Sequence, residues 1–309
     1  MENALILHQH DLTLRPISGP DELDLFNSLP YVLNEEVGGD LAAGRRRPEW
    51  LWLALRDDRV VARAGWWSRA GGQHPLLMDI FDIDGDTDDG VRLLKAALPA
   101  VVPAGATPPQ YGRVLPADWR HHQHTRQAVD DRLGALERVG ATLFVERLRL
   151  EWRQGTPIPE LSRRLAFRPV RNPGELIDLM TLVLDGTLDA HSRDDLTRMT
   201  PSQAAQQQYH NELERYVSPH EWWRIATLPG GEPVGFVIPA HATTRSSRTS
   251  EWCRHIAAMA TFTTCSPRVR VCSQRRTHRG SGPPPTSVTH QWRRPSPGPA
   301  TSPSSARST

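Results

Sequence analysis

An internal repeat in the first 240 residues constrains the fold of this chain more than any other feature. Residues 12–17 read LTLRPI and are followed by PDEL at 20–23, whereas residues 165–170 read LAFRPV and are followed by PGEL at 173–176. In each copy, apolar and polar residues alternate as in a short strand, a proline marks a turn, and an amphipathic helix begins. A strand that leads into a helix twice predicts a duplicated structural unit.

A second pair of matching segments follows the first pair. Residues 48–65 run from PEWLW through a polar RDDR turn to VVARAG, and residues 219–237 run from PHEWWR through PGGE to PVGFV. Both patterns predict a strand, a tight hairpin turn and a second strand. We therefore expect two similar domains, since the chain is long enough for two domains of roughly 150 residues. The repeat places the first domain at 1–155 and the first half of the second at 163–240.

The first copy continues with further elements. Apolar residues over 76–83 predict a strand, and residues 89–98 predict a helix. After a proline-rich loop, the sequence predicts an amphipathic helix over 125–139 and an alternating strand over 141–152. With one further strand between these two helices, the predicted order is β-α-β-β-β-α-β-α-β. This order predicts an α+β fold in which a mixed sheet is flanked by helices.

The composition changes at about residue 240. From 241 to 309, Glu251 is the only acidic residue, while arginine, serine, threonine and proline dominate. Such a segment buries too little apolar area to offset its chain entropy, so we expect a disordered basic tail. A zinc site built from the three cysteines of the tail is not favoured, because their spacing is irregular and includes no Cys-x-x-Cys pair.

The net charge of +2 disfavours several classes of partner. Neutralising several phosphates takes a clustered basic face, so no specific nucleic-acid partner is expected. No stretch approaches the roughly 20 apolar residues that span a bilayer, and the N-terminus lacks the pattern of a signal peptide. We therefore expect no membrane association and a cytoplasmic location, whereas the oligomeric state is left open.

The element order and the second hairpin resemble the GNAT superfamily of N-acetyltransferases. The residues that carry the resemblance are DGTLDAH at 185–191 and the segment 221–239, above all GEPVGF at 231–236. The resemblance implies acetyl-CoA as co-substrate, an amine on a small molecule or a protein as acceptor, and no metal. It also implies a glycine-rich loop that opens a helix and holds the pyrophosphate through backbone N–H groups. In the frame as written this loop is missing, so no cofactor-binding residue is retained and we expect acetyl transfer to be lost or impaired.

A different reading frame encodes the missing sequence. Each shifted codon takes the third base of one residue and the first two of the next. With a GC-biased choice of free bases, the segment from residue 241 onward then contains an apolar strand, IIAYIGVV, and a loop, PAYRGNGY. The codons of Met259 and Ala260 force a glycine in the loop, and those of Trp252 and Cys253 force a valine in the strand. We infer that residues 241–309 are translated out of frame.

Three side chains near the second hairpin are candidates for the chemistry of acetyl transfer. Asp189 and His191 follow an apolar helix and are candidates to line the acceptor site, and Glu221 precedes a strand. A carboxylate is a suitable general base, since only the neutral amine is nucleophilic. The alternative for Asp189 and His191 is a role at a helix end. The alternative for Glu221 is a role as a turn carboxylate.

The first domain contains no comparable phosphate-binding motif, so we expect it to support the second domain without binding acetyl-CoA. Its acidic run over 82–88 resembles a calcium loop, but the glycine is misplaced and Leu93 stands at the twelfth position, so no metal is expected. The alternative to an acetyltransferase is a non-enzymatic GNAT-like binding scaffold with a basic disordered tail. Because the second domain lacks its central strand, we also expect residues 165–240 to pack loosely.

Overall fold

The structure, a computed structural model, describes residues 7–9, 12–150, 164–238 and 285–293. These residues divide into two units. Unit 1 contains the described residues up to 150 together with 285–293, and unit 2 contains residues 164–238. Each unit has its own sheet with helices packed against it, which confirms the predicted α+β class.

The helices and strands follow the chain in an order close to the predicted one. The strands are β1 (Leu7–Gln9), β2 (Leu12–Pro16), β3 (Leu51–Arg56), β4 (Arg59–Trp67), β5 (Leu77–Ile83), β6 (Gln110–Pro116), β7 (Thr142–Leu150), β8 (Ala166–Pro169), β9 (Arg224–Thr227), β10 (Pro233–Val237) and β11 (Pro285–Arg293). The helices are α1 (Leu23–Phe26), α2 (Asn34–Ala42), α3 (Thr87–Val101), α4 (Gln123–Arg138), α5 (Pro173–Leu184), α6 (Ala190–Asp195) and α7 (Pro201–Asn211).

Unit 1 is built on a mixed sheet with the strand order β1-β2-β3-β4-β5-β6-β11-β7. The described pairings are antiparallel, except for the parallel pair of β5 and β6. At the centre, β3 and β4 form the predicted hairpin. Asp57 and Asp58 both have positive φ, 47° and 60°, as a type I′ turn requires. This turn matches the twist of the flanking strands, so the two apolar strands pair along their length.

The sheet of unit 1 is covered on both faces. Leu51 and Leu53 of β3 belong to one core cluster with Phe26 of α1. Trp52, between them, belongs to a second cluster with Leu94 of α3 and with residues of α4. Successive side chains of a strand point to opposite faces, so one short strand contributes to two hydrophobic layers.

The strand β11 corrects the expectation for part of the tail. The composition predicts a disordered tail beyond residue 240, yet β11 lies between β6 and β7 and pairs antiparallel with both. Trp292 lies opposite Tyr111 of β6 and Leu143 of β7, and its side chain is buried in the main core. Tertiary pairing and a buried indole therefore override a local composition that disfavours a strand. The rest of the tail, 239–284 and 294–309, lies outside the described residues.

Unit 2 has a three-stranded antiparallel sheet in the order β10-β9-β8. Its core joins α5 and α7 to the hairpin region through Leu176, Met180, Tyr209 and Trp223. Large apolar side chains at the surface of this unit are Phe167, Leu182, Leu188, Val217 and Trp222. The loose packing of this unit stays a prediction.

The two units share one local network at the matching positions of the repeat. Arg15 donates from both terminal nitrogens to the carboxylate of Glu22, at 2.8 and 2.6 Å. Arg168 donates to Glu175 in the same way, at 3.2 and 2.6 Å. In both copies, the backbone N–H four residues before the glutamate donates to the same carboxylate. The repeat therefore extends from sequence to hydrogen-bond geometry.

We expect Glu22→Gln to lower the unfolding temperature of unit 1 at neutral pH and to have a much smaller effect near pH 2. Hydrogen bonds from Arg15 are the main cause that lowers the pKa of Glu22 from 4.5 to about 2. A lowered folded-state pKa gives stability that is present above the unfolded pKa and is lost as pH falls through the folded one. Thermal unfolding across this pH range measures the effect, with Glu35→Gln at an exposed position of α2 as control. A difference between Glu22→Gln and wild type that is as large at pH 2 as at neutral pH would contradict the prediction.

Candidate functional site

Two of the predicted site residues in unit 2 lie at the start of α6. Asp189 is the N-cap of this helix, and its carboxylate accepts hydrogen bonds from the Ser192 backbone N at 2.8 Å and from Ser192 Oγ at 3.0 Å. His191 lies in the first turn of α6 and is partly buried. The geometry of Asp189 is that of helix capping, which is the alternative to a role in the acceptor site.

Glu221, the third predicted site residue, lies in a 3₁₀ turn that precedes β9, and its side chain is exposed. Its backbone carbonyl accepts a hydrogen bond from Arg224 Nη1. Glu49 occupies the matching turn of unit 1, where its carbonyl accepts from Trp52 Nε1 at 3.0 Å. Both turns thus use the glutamate's carbonyl to fix the start of a strand. The role of the Glu221 carboxylate stays a prediction.

In unit 1, α3 follows β5, and its N-terminus is the place where a phosphate could bind. The carboxylate of Asp86 caps α3 by accepting from the Asp88 backbone N at 2.9 Å. Asp88 and Asp89 place two more carboxylates in the first turn. A helix N-terminus binds phosphate through its free N–H groups and its positive dipole. Here the Asp86 carboxylate already occupies one N–H and the first turn carries two further carboxylates, so this end of α3 does not favour the pyrophosphate of acetyl-CoA.

The acidic run around the end of β5 is compensated by arginines. The ion pairs are Asp79 with Arg46, Asp82 with Arg63 and Arg113, Asp84 with Arg59, Asp88 with Arg138, and Asp89 with Arg56. Within the described part of the chain, no group of three or more His, Cys, Asp or Glu side chains is placed to hold a metal ion. None of the described helices is long and apolar enough to cross a membrane.

The most highly charged interior of unit 1 lies where β5 and β6 separate. The described parallel pairing of the two strands is limited to Leu77 with Gln110 and Met78 with Tyr111. Because α3 connects them, the carboxyl ends of both strands lie at the same edge of the sheet. In sheets with parallel strands, ligands commonly bind in the crevice beyond these ends.

Beyond the last described pair, a group of polar side chains surrounds Asp82 of β5. We call this group the Asp82 cluster; it comprises Tyr31, Arg63, Asp82, Tyr111, Arg113 and Arg132. Arg63 Nε and Arg113 Nη2 lie 2.9 Å from the two oxygens of Asp82. Arg132 Nη1 of α4 lies 3.7 Å from the same carboxylate. One carboxylate is therefore shared by three guanidinium groups from three elements.

The arginines of the Asp82 cluster differ in how completely they are hydrogen bonded. Arg63 also donates to the carbonyl of Phe26 at 2.7 Å and to Asn34 Oδ1 at 2.9 Å. The guanidinium of Arg113 stacks on the ring of Tyr31 at 3.4 Å. Among the described residues, Arg113 Nε, Arg113 Nη1 and Tyr111 Oη are buried and have no hydrogen-bond partner.

The electrostatics of the Asp82 cluster follow from this crowding. Burial raises the pKa of Asp82, but Arg113, Arg63 and Arg132 together outweigh burial and hold it below its usual value. Burial is also the main cause that lowers the pKa of Arg63 and of Arg132. Because arginine keeps its proton in proteins, the three arginines and one aspartate carry a net charge of +2.

Sequence analysis did not identify the Asp82 cluster. Its members come from β4, β5, β6, α4 and the segment before α2, so no local pattern joins them. A usable signal is present at Arg63 and Asp82, which are charged residues inside strands that are mostly apolar. Buried charges need partners, so such positions predict an ion pair, although the sequence does not reveal which one.

No protein-family model matches the sequence, and no curated protein matches it. Among solved structures, the chain is similar to a tandem GNAT protein from the clavulanic acid biosynthesis pathway, determined without acetyl-CoA. The match covers 91% of this chain and 98% of that chain, with 12% sequence identity and a TM-score of 0.34. The fold of the present chain is accordingly drawn from its own strand order and register.

Proposed function

We propose that this chain derives from an acetyl-CoA-dependent N-acetyltransferase and that, in the frame as written, it transfers acetyl groups poorly or not at all. The acceptor of the parent enzyme is an amine on a small molecule or a protein. Support for the ancestry comes from the GNAT-like text of the second hairpin and from the strand, helix and hairpin that occur in both units.

The observation that carries the loss of activity is the acidic N-terminus of α3. Unit 1 offers a strand, a loop and a helix in the right order, but the Asp86 carboxylate occupies one N–H of the helix end, and Asp88 and Asp89 add two carboxylates to the first turn, where a pyrophosphate needs free N–H groups. In unit 2, the corresponding loop belongs after β10, in a part of the chain that lies outside the described residues. In the frame as written, the sequence that follows β10 contains no glycine-rich loop.

Glu221, Asp189 and His191 remain proposals for the acceptor side of a protein with the restored frame. Glu221 is the proposed general base, and Asp189 and His191 are proposed to line the acceptor pocket. Of the three, Asp189 has the weakest support, since its carboxylate already caps α6.

We expect the chain as written to show no acetyl-CoA binding with a Kd below about 1 mM, which corresponds to roughly 4 kcal/mol of binding free energy. Isothermal titration calorimetry of the full chain with acetyl-CoA measures this. The matched control is a version in which a single-base insertion or deletion near codon 240 restores the glycine-rich loop. We expect this version to bind acetyl-CoA. Micromolar binding by the chain as written would overturn the proposed loss of the cofactor site.

The nucleotide sequence of the gene separates this proposal from the alternative. An open second frame that encodes the loop supports the acetyltransferase ancestry. If stop codons close that frame, the tail is genuine. The chain is then better described as a non-enzymatic scaffold with two similar units.

A further inference from the structure

We propose that the Asp82 cluster binds a small oxyanion, a carboxylate or a phosphate, at Arg113 and Arg132. This site lies in unit 1 and does not depend on acetyl transfer or on the frame of the tail beyond β11. Three independent features of the cluster support it, namely its charge, its unpaired donors and its position.

The charge of the cluster requires a further anion. Three guanidinium groups surround the single carboxylate of Asp82, and all four side chains are buried. Tyr31 and Tyr111 do not supply the missing negative charge, because burial raises the pKa of both phenols above the usual value. An uncompensated buried charge is costly, so a bound anion stabilises the folded state.

The unpaired hydrogen-bonding groups of the cluster are suited to an anion. Arg113 Nε and Nη1 are donors, and the protonated hydroxyl of Tyr111 is also able to donate. Tyr111 and Arg113 lie two residues apart on β6, so their side chains lie on the same face of the sheet. An oxyanion accepts several such bonds through lone pairs on each oxygen.

A neighbouring buried network in the same unit has no such excess. Arg46 donates to Asp79 at 2.8 and 2.6 Å and to Asp40 at 3.2 Å, and Arg45 donates to Asp40 at 2.6 Å. Two arginines thus meet two aspartates. Since unit 1 balances its buried charges here, the imbalance at the Asp82 cluster indicates a ligand rather than a general tolerance of buried arginine.

The position of the cluster gives an anion access. The side chains of Arg113 and Arg132 keep 9% and 10% of their surface exposed, whereas that of Arg63 has none. Among the three arginines, Arg113 and Arg132 are therefore the ones nearest to solvent. Arg113 lies on β6 beyond the last described β5–β6 pair, and ligands commonly bind beyond the carboxyl ends of neighbouring parallel strands.

Isothermal titration calorimetry of the full chain with sodium phosphate tests the site directly. Sodium acetate forms a second arm, and sodium chloride at matched ionic strength is the reference. We expect saturable binding of one phosphate, tighter than that of acetate, because phosphate carries up to two negative charges and the cluster has a charge of +2. Binding of acetate alone would assign the oxyanion to a carboxylate. Equal, unsaturable heats with all three salts would overturn the proposal.

Arg113→Gln locates the binding on the cluster. We expect phosphate to bind about ten-fold or more weakly to this variant, because it loses a charged donor. Arg120→Gln is the matched control: it removes the same charge from unit 1, but Arg120 is 56% exposed and pairs with Glu146. We expect its affinity to stay within about two-fold of wild type. If Arg113→Gln binds phosphate like wild type, the site is elsewhere and the proposal is wrong.

Arg132→Met separates an anion site from a purely structural role and also serves if Arg113→Gln fails to fold. In chloride, we expect Arg132→Met to unfold at or above the wild-type temperature, since it relieves a buried positive charge. In phosphate, we expect wild type to gain thermal stability and the variant to gain little. If Arg132→Met loses the same stability in both salts, Arg132 serves only the packing, which would contradict the proposal.

Discussion

Replacing Asp82 with alanine is expected to destabilise unit 1 by at least about 3 kcal/mol, since removing one partner of a buried ion pair typically costs about 3–5 kcal/mol. The substitution removes the carboxylate shared by Arg63, Arg113 and Arg132. All three guanidinium groups then remain in the interior without a carboxylate of the cluster to compensate them. The cost therefore lies at the upper end of the effects of single substitutions.

Urea denaturation measures the loss, with Asp84→Ala as the matched control. Asp84 also pairs with an arginine of β4, but the Asp84 and Arg59 side chains are 50% and 70% exposed. An exposed pair contributes about 1 kcal/mol or less, so we expect the control to unfold nearly like wild type. Similar urea midpoints for the two variants would show that burial does not determine how much Asp82 and Asp84 stabilise unit 1.

The pH dependence offers a second measure of the same carboxylate. The arginines hold the pKa of Asp82 below its usual value, so its pairing stabilises the folded state above the unfolded pKa of about 3.9. This contribution is lost as pH falls through the folded pKa. Asp82→Asn lacks the titrating group, so the difference between it and wild type should shrink on acidification.

The parts of the fold that sequence analysis predicts are those determined by local patterns. The strand and helix start of each repeat place an arginine seven residues before a glutamate, and this spacing produces the Arg15–Glu22 and Arg168–Glu175 pairs. The RDDR turn likewise predicts the hairpin, because two short acidic residues accept positive φ. In these cases the interacting groups lie within a few residues of each other.

The parts that sequence analysis misses depend on long-range contacts. Arg63 and Asp82 are 19 residues apart, and their partner Arg132 comes from a helix that follows another strand. For Asp189, the sequence allows both a role in the acceptor site and a role at a helix end. The hydrogen bond from Ser192 is a local contact and favours the helix end. The strand β11 was missed because its position is set by β6 and β7 rather than by an alternating apolar pattern.

Trp292→Ala is expected to destabilise unit 1 by about 3–5 kcal/mol, the usual cost of removing a large aromatic side chain from a core. The Trp292 side chain is only 2% exposed and belongs to the main core cluster. Truncation before residue 285 is expected to cost more. It removes the ladders of β11 with both β6 and β7 and leaves two open strand edges, which favour aggregation.

Trp292→Phe is the control for this prediction, with urea denaturation of the full chain as the measurement. Among the described residues, the indole N–H of Trp292 is buried and has no hydrogen-bond partner, so phenylalanine keeps an aromatic ring and removes an unsatisfied donor. We expect it to cost less than about 1.5 kcal/mol. A large loss for Trp292→Ala means that residues 285–293 fold as part of unit 1. No loss means that β11 does not stabilise the sheet.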